Sequence, residues 1–202
     1  YMGKMAKEIA SELANHLSTV SVEHRKMAER LNNVNTFVPR KHFTFGEFDI
    51  TLIVVDHSAF DAYAFCIEAK ELKVFHTGDF RKHGFRSGKL STVIERYVER
   101  ADYIVCEATN VNRPEATLIP EHELQKDFEE AFTENKYNVA YVSSTNIDRL
   151  FGLYHAAIRA NRPFYVDAYQ KRIMDIVAGR DKIWSKSSLY NYIEGKKPQK
   201  LI

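Results

Sequence analysis

Apolar residues change their spacing several times along the chain, and each change marks a different element. Met2, Met5, Ile9, Leu13 and Leu17 fall on one helical face. A break at residues 18–21 separates that helix from a second, charge-rich one at 22–31. From Asn35 the period shortens to two. Asn35, Thr36, Phe37 and Val38 read as a strand stopped by Pro39, and residues 43–55 read as two strands joined at Gly46 and Glu47. Within the second of these, Phe48, Ile50, Leu52 and Val54 alternate and place one face on a core. Residues 62–68 and 72–77 then form a hairpin about Ala69, Lys70 and Glu71.

Helical spacing returns at Val93, Ile94, Tyr97 and Val98, and residues 103–106 follow as a buried strand. From Val111 onward the texture is different. Leu124, Phe128, Ala131 and Phe132 form a helical stripe, 139–142 a strand, and Ile147, Leu150, Phe151, Tyr154 and Ile158 another helix. Residues 164–166 read as the next strand, and Ile173, Ile176 and Val177 as the helix after it. Such alternation predicts a parallel sheet and a second unit, with a boundary near residue 110. Trp184, Tyr190 and Tyr192 read as core or interface packing, and Lys196 to Lys200, after Gly195, as a basic surface loop.

These directions have a chemical consequence. A strand ends just before His57, the hairpin runs away and returns to finish at Gly78 and Asp79, and a right-handed crossover through 90–98 brings the next strand out at Glu107. An imidazole and two carboxylates are thereby expected at one edge of one sheet. The imidazole with the first of these carboxylates, His57 with Asp79, suits zinc or manganese. Taken singly, each residue has an ordinary reading: a loop histidine, a Gly-Asp turn and a solvent-facing strand end. The run Arg81, Lys82, His83, Arg86 and Lys89 reads first as a solvated loop and second as a phosphate contact. Ser143, Ser144, Thr145 and Asn146 lie between a strand end and a helix start, where free amides and the helix dipole attract anions. The same residues are also common caps, and Asp148 is ordinary compensation of the dipole.

Charge and composition narrow the classes without choosing among them. A net charge of +2 is too small to argue for a polyanionic partner, so nucleic acid would have to be met by a local patch. The apolar runs are only strand-sized, so no membrane association is expected, and no secretory leader pattern opens the chain. Cys66 and Cys106 both lie in apolar runs and are expected to be buried free thiols in a reducing cytoplasm. The chain begins inside a helical pattern with no capping residue ahead of it, which predicts sequence upstream.

Two motifs, D-H-S-x-x-D at 56–61 and T-G-D-F at 77–80, together resemble the metallo-β-lactamase fold hydrolases. The E-A-T-N element at 107–110 and S-x-N-I-x-R-L at 144–150 resemble their β-CASP nuclease branch, and the ribonuclease J-like enzymes in particular. The resemblance implies an α/β chain. Residues 1–110 would be the C-terminal part of an αββα sandwich core, and 111–202 the first part of a β-CASP parallel-sheet domain. By resemblance His57 is a terminal metal ligand and Asp79 bridges two metals, zinc or manganese, with Ser58 and Asp61 supporting them. Glu107 organises a downstream histidine at the scissile phosphate. Ser144, Asn146 and Arg149 bind the nucleic-acid backbone, with Tyr169, Lys171 and Arg172 extending that groove.

The chain departs from the family pattern in one respect. The H-x-H-x-D-H signature that supplies most of the metal ligands does not occur, and no downstream histidine motif follows. The expectation is a metal-dependent phosphodiester hydrolase acting on RNA or single-stranded DNA in its full-length, cytoplasmic form, with a homodimer allowed. This chain alone would be metal-poor and inactive. Two other readings stand beside it. One is a degenerate, non-catalytic binding or scaffold subunit, and the other is a small-molecule ester or thioester hydrolase of the same fold.

Overall fold

Alternation at every second residue builds the central sheet, and its strand directions place the chemistry. The computed structural model describes residues 1–38, 41–59, 61–112, 118–180 and 193–194. The chain opens with β1 (Met2–Gly3), α1 (Lys4–Leu17), α2 (Val22–Asn32) and β2 (Thr36–Phe37). The sheet strands β3 (His42–Phe45), β4 (Phe48–Val54), β5 (Tyr63–Ala69) and β6 (Leu72–His76) follow. A 3-10 turn at Ser87–Lys89, α3 (Leu90–Val93) and a π turn at Ile94–Val98 lead to β7 (Tyr103–Val105). The remainder comprises α4 (Glu121–Glu134), α5 (Ile147–Arg159), β8 (Tyr165–Val166), α6 (Ala168–Arg180) and β9 (Ile193–Glu194). The fold is mixed α/β.

The five-stranded sheet has the order β3-β4-β5-β6-β7. β3 to β6 are antiparallel in sequence, and β7 lies parallel to β6, with Phe75 opposite Ile104. On one face Ile53, Val55, Ala64, Cys66 and Phe75 pack under Phe80, Val93, Tyr97, Val98 and Ala101. Burying side chains of this size is worth roughly 1.5–3 kcal/mol each, enough to hold the 90–98 stripe on the sheet. The other face is also apolar. Phe37 covers part of it, standing edge-on to Tyr63 at 5.1 Å and to Phe65 at 6.3 Å. Phe45, Phe48, Leu72, Tyr103 and Val105 on that face stay exposed.

A second core joins the ends of the described chain. Met5 packs with Ile147, Leu150, Ile173 and Val177, and with the half-buried Ile9, Val142, Tyr169 and Ile176. The first helix thus shares its apolar stripe with α5 and α6. Among the described residues, no helix is long and apolar enough to cross a membrane.

Several sequence expectations need correction. β7 is not buried: Tyr103, Ile104 and Val105 are all about half exposed, because β6 is its one strand neighbour among the described residues and the helical cover stops short of it. Cys106, which follows β7, is exposed with it, while Cys66 is buried as expected. Residues 139–142 form no strand, and Val139 and Tyr141 are fully solvent-facing. β-propensity needs a pairing partner, and none of the described residues supplies one. The expected parallel sheet of the second half is, among the described residues, the two-residue pair of β8 and β9. Met2 and Gly3 pair parallel with β2 and do not belong to the helix. Trp184, Tyr190, Tyr192 and Lys196 to Lys200 lie outside the described residues.

Close backbone approach at one glycine gives a test of this packing. A Cβ at Gly84 would stand 2.2 Å from Asp56 Oδ1 and 2.6 Å from Arg81 Nη2, whereas at Gly88 it would meet nothing within 4 Å. Gly84→Ala is expected to destabilise the chain by about 1–3 kcal/mol in urea denaturation, with Gly88→Ala close to neutral.

Candidate functional site

The turn after β4 is built from backbone bonds that carry the strand past its last ladder pair. Val55 N–H donates to the Ala62 carbonyl at 3.1 Å, and the Asp56 carbonyl accepts from Arg81 N–H at 2.8 Å. The His57 carbonyl accepts from Arg86 Nη2 at 3.0 Å, so a guanidinium holds the residue before its side chain does anything. The Ser58 carbonyl accepts from the Asp148 amide at 3.4 Å, which ties the same turn to the start of α5. The imidazole is half-buried, and its Nδ1 accepts from Ala59 N–H at 3.3 Å. In the neutral ring that bond puts the proton on Nε2.

Asp79 arrives by way of Thr77 and Gly78. Thr77 N–H bonds the Val105 carbonyl at 2.9 Å, which continues the β6–β7 ladder to the edge. Gly78 has a φ of +57°, and a Cβ there would stand 2.3 Å from the Tyr63 carbonyl, so no other residue makes this turn without displacement. Asp79 is exposed. Glu107 binds the turn from the other side. Its amide donates to Thr77 Oγ1 at 3.2 Å, its Oε1 accepts from Phe80 N–H at 3.0 Å, and its Oε2 accepts from the Thr109 hydroxyl at 2.7 Å. The Phe80 amide above all, then the Thr109 hydroxyl, hold its carboxyl below the usual glutamate range, and the His57 ring pulls the same way.

β4 and β6 run in one direction with β7 parallel to them, so the segments carrying His57, Asp79 and Glu107 leave the sheet at a common edge. Asp61, at a φ of +69°, turns to the start of α1, where its carboxylate accepts from Ala6 N–H at 3.1 Å and from the Tyr63 hydroxyl. Ser58 contributes its carbonyl to the contact with α5 described above. Asn146 caps α5, its side chain accepting from Arg149 N–H at 3.2 Å. Arg149 points to Glu121, with Nε at 3.0 Å and Nη2 at 3.2 Å, and its side chain is about a third exposed. Ser144 is half-buried beside the Ser143–Thr145 hydroxyl pair.

A cluster of six charged side chains underlies this edge, and no spacing along the chain announces it. Arg81 meets Glu121 at 3.0 Å, Asp148 at closer range, and Asp56 at 3.6 Å. Arg86 reaches Asp148 at 3.5 Å, and Arg149 completes the set on Glu121. Glu121 and Asp148 are 2% and 1% exposed, so these are buried ion pairs. Burial pushes the Asp148 carboxyl up, against the pull of Arg86 and Arg81. Two residues of the basic run therefore face inward, while Lys82 and Lys89 remain at the surface.

A hydrolytic metal centre takes three protein ligands and a water. His57 and Asp79 are two. No group of three or more His, Cys, Asp or Glu side chains among the described residues is disposed to hold an ion. Coordination through His57 Nε2 would also require its proton to move to Nδ1, at the expense of the Ala59 bond.

No protein-family model matches the chain. Its fold is similar to the crystal structure of a protein of unknown function from Enterococcus faecalis V583, with a TM-score of 0.71 at 18% sequence identity over 89% of this chain. The chain spans 43% of that protein's length.

Arg81→Met leaves Glu121 and Asp148 short of their central partner, and breaking a buried pair from one side costs roughly 3–5 kcal/mol. Equilibrium unfolding should show that loss, with Lys82→Met within about 0.5 kcal/mol of the parent. Glu107 has a depressed folded pKa, so its contribution is present above the ordinary glutamate value of 4.5 and is lost as pH falls through the folded value. The stability difference between the parent and Glu107→Gln should be largest near pH 7 and shrink below pH 4.5, as followed by urea midpoints across pH.

Proposed function

We propose that this chain is part of a nucleic-acid hydrolase of the metallo-β-lactamase fold, in its β-CASP branch, acting on single-stranded RNA in the intact protein. The observation that carries the reading is the convergence of His57, Asp79 and Glu107 at one sheet edge from three separate strands. Support for the finer fold comes from the sheet itself. One face is covered by helical segments, and the other is apolar and partly open, as one half of a sandwich requires.

Each side chain has a definite part in this reading. Glu107, with both oxygens engaged, acts as a positioning residue that fixes the turn following Asp79. Arg86 positions His57 through its carbonyl. Two carboxylates at the edge repel a phosphodiester, so the substrate approaches only when positive charge is brought between them. A divalent ion would supply that charge, and His57 and Asp79 would be two of its ligands, the rest coming from elsewhere in the intact protein. Ser144, Asn146 and Arg149 stand at the start of α5 for backbone contacts, with Arg149 shared between Glu121 and solvent.

Cleavage of single-stranded RNA and of a chromogenic ester by the intact protein separates this reading from a small-molecule hydrolase. RNA cleavage dependent on a divalent ion is expected. Asp79→Ala should lower it by more than the roughly 10–100-fold that loss of a supporting contact costs. Ester turnover without RNA cleavage, or an Asp79→Ala variant at full rate, overturns the assignment.

A further inference from the structure

The end of β4 meets the 80–89 segment at a small cavity lined by both apolar and charged residues. Its volume is about 20 Å³, and Val55, Asp56, Phe80, Arg81 and Arg86 are among its walls. Both carboxylate oxygens of Asp56 and the Nε of Arg81 are buried there without a hydrogen-bond partner. The Asp56 side chain is 3% exposed, and its closest approach to Arg81 Nε is 3.6 Å, beyond hydrogen-bond range. Orphaned donors and acceptors of this kind are rare in folded proteins and are commonly satisfied by ordered water.

We infer that one buried water occupies this cavity, accepting from Arg81 Nε and donating to the Asp56 carboxylate. The volume fits one water, which needs roughly 10–15 Å³ of such space, and is too small for a phosphate or an organic ligand. Chemistry selects among small occupants. A cation would face the guanidinium groups of Arg81 and Arg86 across the cavity, and an anion would face Asp56. Water alone offers an acceptor to Nε and a donor to the carboxylate at once. The cluster is already balanced, with Asp56, Glu121 and Asp148 against Arg81, Arg86 and Arg149, so no ion is required for neutrality. The water would join the strand that carries His57 to the segment that carries Arg86. The inference does not rest on the nuclease reading.

The test is a crystal structure of this chain at a resolution that places waters, paired with oxygen-17 relaxation dispersion, which counts long-lived internal waters. One water within about 3.2 Å of both Arg81 Nε and Asp56 is expected. Asp56→Asn keeps an acceptor and should retain it, whereas Asp56→Leu should lower the internal count by one. The inference is overturned if the cavity is dry, if Asp56 rotates to pair directly with Arg81, or if the density is an ion ringed by oxygens at about 2.0–2.6 Å. Should Asp56→Leu fail to fold, the parent crystal structure decides the matter alone.

Discussion

One guanidinium holds the candidate site together. Arg81 sits among three carboxylates drawn from the turn after β4, from α4 and from α5, and its own amide bonds the Asp56 carbonyl. A buried ion pair is a poor source of net stability, because desolvation offsets most of the attraction. Its geometry is strict nonetheless, since every partner left unpaired is expensive. Sheet and helices are therefore held in one register where His57 emerges.

The edge itself is assembled by smaller constraints of the same kind. Gly78 is the residue that passes the Tyr63 carbonyl, Thr77 links its strand to β7, and Glu107 accepts from the amide just past Asp79. None of these contacts is large. Together they fix the backbone on both sides of an exposed aspartate, which leaves its carboxylate as the solvent-facing group at an otherwise pinned turn.

The two apolar faces of the sheet differ in kind. The face under residues 90–98 is a closed core, whereas Phe45, Phe48, Leu72, Tyr103 and Val105 leave the other partly open. Strand propensity misleads in the same places. Residues 103–106 and 139–142 have the composition of buried strands, yet the first is an edge and the second has no ladder among the described residues.

Local pattern was enough for the helices at 4–17 and 22–32, the hairpin at 63–76 and the common exit of the segments bearing His57, Asp79 and Glu107. Those features depend on period and direction, which are written residue by residue. The partners of Arg81, Arg86 and Arg149 are not written that way. Asp148 looked like dipole compensation and Arg81 like a solvated cation, and only their burial against elements 40 and 67 residues away made them a cluster. Burial is a property of what packs on a residue, so it was decided in three dimensions, and with it the roles of the charged side chains around the edge.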